Sequence, residues 1–194
     1  AIHMEDQLFP GRVHYFRGVE HVVSLEEYQQ RIEYAVKARK SKDFLIIARN
    51  DISHAVEAGP NPREEAVKRA HAALEVGADA IFITGIQPQR DDMQYYRSQI
   101  KDEPMVTTPQ TTKDGDLLTV NDYRDLGYQV ILYPQVIQTA LLAMQDAYKP
   151  VKETGYLPKE SEERTNEIRS LSQALLRLEE KWAIEASTTE SSKS

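Results

Sequence analysis

Cysteine is absent from all 194 residues of the chain. The absence excludes disulfides, thiolate metal sites and a cysteine nucleophile, and it is consistent with a reducing compartment such as the cytoplasm. We therefore expect a cytoplasmic protein whose chemistry depends on oxygen and nitrogen groups.

Other absences narrow the class of protein further. No apolar run approaches the roughly 18 residues of a membrane helix, and no charged segment followed by an apolar one opens the chain. The net charge of −7 leaves no basic stripe for nucleic acid. The glycine motifs GxGxxG and Walker A and the elbow GxSxG do not occur. We expect neither a membrane nor a nucleic acid as partner.

Short apolar runs alternate with amphipathic segments along most of the chain. Strands are predicted at residues 1–4, 43–51, 79–85, 103–109 and 128–134, and a helix is predicted after each strand. Ser24 and Asn61 are placed as helix N-caps, and Gly77 is placed to end a helix. Strict alternation with strands that are apolar on both faces is typical of a parallel α/β sheet. It fits an open doubly wound sheet or a closed barrel.

The carboxyl-terminal part has a different pattern. Apolar residues recur every three or four positions over 160–187, which predicts one amphipathic helix. A linker at 151–159 separates it from a body at 1–150, and residues 188–194 are expected to be disordered. The helix could pack on its own body or on a partner subunit.

Polar residues follow the predicted strands at the edge where parallel α/β folds place their ligand sites. Glu5 could bind Mg²⁺, with Asp6 accepting a hydrogen bond from a metal-bound water. Arg49 could hold a substrate carboxylate with two hydrogen bonds, and the hydroxyls of Thr84 and Thr108 could hydrogen-bond the substrate. A cation, an arginine and an organic anion together suit chemistry on an enolate.

Each of these residues also has an ordinary structural interpretation. An acidic pair after a strand can start a helix, Arg49 can form a structural salt bridge, and threonine favours strands anyway. His14, His54 and His71 show no metal-ligand spacing. The residue pattern alone therefore leaves the site open.

Four stretches carry a resemblance to a known family: IHMEDQLFPGR, DFLIIARND, AHAALEVGADAIFITG and LGYQVILYPQVIQTALLAM. In this order they resemble the isocitrate lyase/phosphoenolpyruvate mutase superfamily from residue 1 to about 155. The resemblance implies a (β/α)8 TIM-barrel type of α/β fold in which the Glu-Asp-Gln element ends the fourth strand. Strands one to three are then expected to be absent from this chain, and a mitochondrial location stays open beside a cytoplasmic one.

The resemblance also implies roles for individual residues. Glu5 would serve Mg²⁺, or alternatively Mn²⁺, and Arg49 would contact the substrate carboxylate and the oxyanion. Residues 6–23 would form a gating loop. The candidate catalytic residues on that loop are Arg12, His14 and Tyr15.

The chain departs from the family pattern at four functional positions, among them the loop lysine, which is Gly11 here, and the final loop histidine, which is Tyr15. Lyases of the family donate a proton from a loop cysteine, and this chain has Val13 there. Their glutamate after the sixth strand corresponds to Thr84. Ordinary isocitrate or methylisocitrate cleavage is therefore not expected, because the acid that protonates the departing fragment is missing.

We expect a Mg²⁺-dependent lyase, decarboxylase or hydrolase that cleaves a carbon–carbon bond of a small 2-oxo or 2-hydroxy dicarboxylate through an enolate. One alternative is a catalytically silent homologue with a binding or scaffold role. Another is an enzyme that acts on the C–P bond of a phosphonate. The resemblance further implies a homo-oligomer, a tetramer in which the 160–187 helix is swapped between subunits.

Overall fold

The computed structural model describes residues 1–9, 20–84, 90–109 and 117–188. The chain divides into two compact units, Ala1–Pro134 and Gln135–Ser194. The first unit therefore ends before the boundary at 150 that the sequence predicts. The expected disordered tail beyond Thr188 lies outside the described residues.

Parallel strands form the centre of the first unit. They are β1 (Ile2–Glu5), β2 (Ile46–Asn50), β3 (Ala80–Ile83), β4 (Val106–Thr107) and β5 (Val130–Ile131). The sheet order is β1-β2-β3 and β4-β5, and every pair is parallel. A parallel bridge between Ile81 and Met105 joins β3 to β4. Each strand thus lies beside the one that precedes it in sequence, and the predicted parallel α/β arrangement is confirmed.

The register of the strands determines which residues meet at the carboxyl edge. Glu5 at the end of β1 lies opposite Arg49 of β2, and Asn50 lies opposite Ile83 at the end of β3. Because the strands run in one direction, the polar residues that follow them collect at one edge of the sheet.

In the described part of the first unit, four helices and two short turns of helix surround these strands. They are α1 (Leu25–Ala38), α2 (Pro62–Glu75), α3 (Arg90–Gln99) and α4 (Val120–Asp125), with 3-10 turns at Ile52–His54 and Val56–Ala58. The Ser24 hydroxyl accepts a hydrogen bond from the Glu27 backbone N–H at 3.1 Å, which confirms the predicted cap of α1. Asn61 occupies the N-cap of α2 without a side-chain capping bond.

The core lies between the sheet and helices α1 and α2. Tyr28 and Ile32 of α1 are fully buried, as are Ala66, Ala70 and Ala73 of α2. Alanines along one face of α2 leave room for the helix to approach the strands closely.

Strand β1 differs from the expectation that every strand is apolar and buried on both faces. Ile2 is 45% exposed and His3 is also exposed. Within the described residues β1 pairs with β2 on one side only, so its outer surface has no covering neighbour.

The second unit is helical. It contains α5 (Gln135–Thr154), α6 (Glu162–Leu175) and α7 (Leu178–Thr188). The single helix predicted at 160–187 is two helices, because Arg177 adopts a φ of 52° between α6 and α7. Helix α5 also occupies the first four residues of the predicted 151–159 linker. Among the described residues, no helix combines the length and apolarity needed to cross a bilayer.

Substitution of Gly77 tests how closely the turn after α2 packs against α1. Its φ is +98°, and an added Cβ would lie 3.1 Å from Val36 Cγ1 of α1. We expect Gly77→Ala to lower the free energy of unfolding by about 1–2 kcal/mol, because an L side chain is strained at positive φ. Chemical denaturation measures the loss.

Gly155→Ala is the matched control, because Gly155 also lies just after a helix and has a φ of +82° with nothing within 4 Å of its added Cβ. If Gly77→Ala loses more free energy of unfolding than the control variant does, the difference measures the contact of the added Cβ with Val36. Equal stability of Gly77→Ala and the wild-type protein would contradict the described turn.

Candidate active site

Arg49 and Asp51 form the central ion pair of the carboxyl edge. Arg49 donates to Asp51 from Nη2 to Oδ1 at 2.8 Å and from Nε to Oδ2 at 3.0 Å. The Thr84 hydroxyl also donates to Asp51 Oδ1. Burial opposes the positive charge of Arg49, but the hydrogen bonds and negative charge of Asp51 raise its pKa above the ordinary value. Arg49 is thus a fixed, permanently charged donor.

Glu5 contacts the same guanidinium from the neighbouring strand. Its Oε2 lies 3.2 Å from Arg49 Nη1, and its side chain is 36% exposed, whereas that of Asp51 is 1% exposed. The Arg49 guanidinium also lies over the Phe82 ring, 5.5 Å from the centroid. The structure therefore brings together Glu5 and Arg49, which the sequence placed at one edge.

Asp6 points away from this group into the protein interior. Its Oδ1 accepts from the Asp51 backbone N–H at 2.8 Å, and its Oδ2 accepts from Arg69 Nη1 at 3.0 Å. Successive residues of a strand face opposite sides, so Glu5 and Asp6 diverge. Both Asp6 oxygens have donors within the protein, and these contacts are structural. A hydrogen bond from a metal-bound water to Asp6 stays a prediction without a contact that supports it.

A histidine and two carboxylates meet beside Arg49. His54 Nε2 contacts Glu20 Oε2 and lies 3.8 Å from Asp51 Oδ1. The Glu20 contact is a close approach without the geometry of a hydrogen bond. The ligand atoms of the three residues lie within 4.8 Å of one another. Sequence reasoning missed this group, although the Asp51-x-x-His54 spacing directly after a strand was a local signal.

The Glu5 carboxylate is more exposed than that of Asp51 and could hold a cation at this edge. Mg²⁺ uses one or two carboxylates and completes its shell with water and substrate oxygens, and the partly exposed Glu5 carboxylate fits that requirement. Asp51 is less suited, because its Oδ1 already accepts from Arg49 and Thr84. The carboxylates of this edge are compatible with Mg²⁺.

The remaining predicted site residues fall into two groups. Thr84 belongs to the Arg49 group through Asp51, whereas the described side-chain contacts of Arg49 do not include Thr108. The other predicted residues, Arg12, His14 and Tyr15, lie outside the described residues.

A cavity of about 450 Å³ adjoins this group on the side of β3 and α3. Its lining includes His54, Ser53, Ile83, Met93 and Thr107. His54 thus lies between the carboxylates beside Arg49 and a space large enough for a small organic ligand.

The sequence matches one family along most of its length. The matching family is described as Phosphoenolpyruvate phosphomutase, and the match covers residues 1–152. The chain belongs to this family, within the PEP mutase/isocitrate lyase superfamily.

Individual relatives agree with this assignment. A 2-methylisocitrate lyase of Shewanella oneidensis is 33% identical over 150 residues, which are 75% of this chain and 49% of the relative. A crystal structure of 2,3-dimethylmalate lyase superposes with a TM-score of 0.69 at 25% identity, covering 98% of this chain and 60% of that one. A crystal structure of phosphonopyruvate hydrolase in complex with oxalate and Mg²⁺ superposes with a TM-score of 0.64 at 27% identity, covering 97% of this chain and 62% of that one.

The chain spans about half the length of the curated relatives it matches, 48% for the first two. The family assignment is therefore a statement about the sequence and fold of residues 1–152.

Asp6 gives the stability of the protein a defined dependence on pH. Burial raises its pKa from 3.8 to about 6, against the lowering effect of the Asp51 N–H and of Arg69. Between these values the folded protein keeps a proton that the unfolded chain has released, so rising pH favours unfolding. We expect the Asp6 contribution to fall by about 2 kcal/mol between pH 4 and pH 7.

Chemical denaturation of the wild-type protein and of Asp6→Asn across this pH range measures the contribution. The asparagine variant should lack this part of the pH dependence, even though it loses stability overall by leaving Arg69 without its carboxylate. The same slope in both proteins would show that Asp6 titrates alike in the folded and unfolded states.

Proposed function

We propose that the protein is a Mg²⁺-dependent enzyme that cleaves a carbon–carbon bond of a small 2-oxo or 2-hydroxy dicarboxylate through an enolate, by lyase, decarboxylase or hydrolase chemistry. The observation that carries the proposal is the convergence of Arg49, Asp51 and Glu5 at the carboxyl edge of parallel strands. The family membership and the lyase relatives support it.

Arg49 is suited to hold a substrate carboxylate. Its guanidinium is oriented by two hydrogen bonds to Asp51, whereas the contact with Glu5 is longer, at 3.2 Å, and more exposed. A substrate carboxylate can replace Glu5 at Nη1 without disturbing the Asp51 pair. An oriented arginine fork then stabilises the anion and any negative charge that develops on it.

Glu5 is the residue that would hold the cation once its contact with Arg49 is replaced. When bound, Mg²⁺ or Mn²⁺ supplies Lewis-acid stabilisation of negative charge on the substrate oxygens. Thr84 would act through Asp51, because its hydroxyl donates to the carboxylate that fixes Arg49.

We extend the proposal to the fold that surrounds the site and to the assembly of subunits. Each strand lies beside the strand before it in sequence, which is the order of a (β/α)8 barrel wall. A doubly wound sheet would instead reverse its strand order at a switch point. We assign the five strands to positions four to eight of such a barrel, in a homotetrameric assembly.

Cleavage of a C–P bond is a second candidate function. It is favoured by the similarity to the structure of phosphonopyruvate hydrolase, at 27% identity over 97% of this chain. The same carboxylate-binding arginine and cation would serve a phosphonate of a 2-oxo acid, and release of inorganic phosphate distinguishes this reaction from C–C cleavage.

The proposal predicts that Arg49→Met lowers kcat/KM for the best of a panel of substituted malates and oxaloacetate by about 100-fold or more, because an oriented charge on the reacting anion is lost. Glu5→Gln should weaken Mg²⁺ binding about tenfold or more, since a direct ligand matters at least as much as the groups that orient ligands. Coupled assays of the 2-oxo acid product and calorimetry with Mg²⁺ measure the two effects.

Arg164→Met is the matched control, because Arg164 is exposed and pairs only with Glu167 among the described carboxylates. It should behave as the wild-type protein does. Absence of turnover with every dicarboxylate and with phosphonopyruvate, in Mg²⁺ and in Mn²⁺, would contradict the proposal and favour a silent homologue with a binding or scaffold role.

A further inference from the structure

Arg69 is a buried charge on a helix face that otherwise consists of small apolar residues. The other buried residues of α2 are Ala66, Val67, Ala70, Ala72 and Ala73. The Arg69 side chain is 5% exposed, and its guanidinium donates from Nη1 to Asp6 Oδ2 at 3.0 Å and from Nη2 to the backbone oxygen of Val23 at 2.9 Å. Burial of a charge is costly unless it is paired and hydrogen-bonded, and here the pairing joins the residue after β1 to the segment before α1.

A short series of hydrogen bonds leads from Arg69 to the candidate site. Asp6 Oδ1, on the carboxyl group that Arg69 holds, accepts from the Asp51 backbone N–H at 2.8 Å. The Asp51 carboxylate in turn accepts from Arg49 Nη2 at 2.8 Å and from Nε at 3.0 Å. The described contacts of Arg69 do not include Arg49 itself. Any effect of Arg69 on that guanidinium therefore passes through Asp6 and the backbone of Asp51.

The opposite end of β2 carries a second arrangement of the same kind. Asp79 Oδ2 accepts from Arg39 Nη1 at 2.5 Å and from the backbone N–H of Ile46, the first residue of β2, at 2.8 Å. An arginine, an aspartate and a backbone N–H thus hold each end of this strand. The pair at the amino end is 19% and 25% exposed, whereas Arg69 and Asp6 at the carboxyl end are buried. Because the two arrangements differ in position but not in chemistry, Arg39 provides a matched control for Arg69.

We propose that Arg69 is a positioning residue of the candidate site, which holds Asp6 so that the carboxylate orienting Arg49 keeps its place. The assignment rests on the proposed function, in which Arg49 binds the substrate carboxylate. In this role Arg69 contacts neither the substrate nor the cation. Its contacts with Asp6 and Val23 fix the Asp6 carboxyl group, which in turn fixes the backbone N–H of Asp51 at the end of β2. A small misplacement of a group that orients the substrate impairs the site, even where its cause lies outside the site.

Calorimetry with oxalate in the presence of Mg²⁺ measures binding at Arg49 in the full chain. The test variant is Arg69→Lys, because a lysine ammonium keeps the charge but lacks the planar fork that spans Asp6 and Val23. We expect Arg69→Lys to weaken oxalate binding about tenfold, within the range for residues that orient a ligand-binding group. Arg39→Lys makes the same change at the amino end of β2 and should keep oxalate affinity within about threefold of the wild-type value, since distant sites act independently.

A double-mutant cycle with Arg49→Met separates positioning from a general loss of structure. In the Arg49→Met background oxalate affinity depends on the cation at Glu5, so a weaker but measurable binding remains. If Arg69 acts through Arg49, Arg69→Lys should change oxalate affinity by less than about twofold in this background. A purely structural role would weaken binding by the same factor in both backgrounds, because it would not depend on the guanidinium of Arg49.

The outcomes separate this inference from the proposed function. Wild-type oxalate affinity in Arg69→Lys, an equal loss in Arg39→Lys, or the same loss in both backgrounds of the cycle would overturn the role of Arg69 alone. A wild-type protein that does not bind oxalate with Mg²⁺ would overturn the proposed function and this inference together. If Arg69→Lys shows no cooperative thermal unfolding, Asp6→Asn decides, because it removes the same pair from the other side. We expect Asp6→Asn to weaken oxalate binding about tenfold, and an unchanged affinity overturns the proposal.

Discussion

The ion pair of Arg49 with Asp51 is the interaction on which the candidate site depends. Asp51 fixes the guanidinium through two hydrogen bonds, and its own backbone N–H is held by Asp6. Asp6 in turn pairs with Arg69 of α2. A continuous set of charged contacts thus connects β1, the end of β2 and the covering helix. Asp51, Asp6 and Arg69 are buried and Arg49 is partly buried. The removal of one of these charges therefore leaves its partner uncompensated, which costs more than the pair itself contributes.

The two acidic residues at the end of β1 lie in different environments because they face opposite sides of the strand. Glu5 faces the partly exposed edge and contacts Arg49, while Asp6 faces the interior and contacts Arg69. The alternation of side chains along a strand assigns these two carboxylates to different environments. In our account, Glu5 is available to a cation because Asp6 stabilises the segment behind it.

The sequence predicted the alternation of strands and helices, the cap at Ser24 and the meeting of Glu5 with Arg49, because these follow from local pattern and from the direction of parallel strands. It did not predict the Glu20–His54 contact or the buried Arg69, since both arise between segments far apart in the chain. The break between α6 and α7 was missed because an amphipathic pattern can continue through a single residue at positive φ.

Crystallography of the protein with Mn²⁺ and oxalate tests the central claim most directly, because the anomalous signal of manganese locates the cation independently of the protein density. The account predicts one manganese peak at the Glu5 carboxylate and an oxalate carboxylate on the guanidinium of Arg49, with the Asp51 pair intact. A manganese peak away from the carboxyl edge of β1 and β2, or an oxalate that does not contact Arg49, would contradict it.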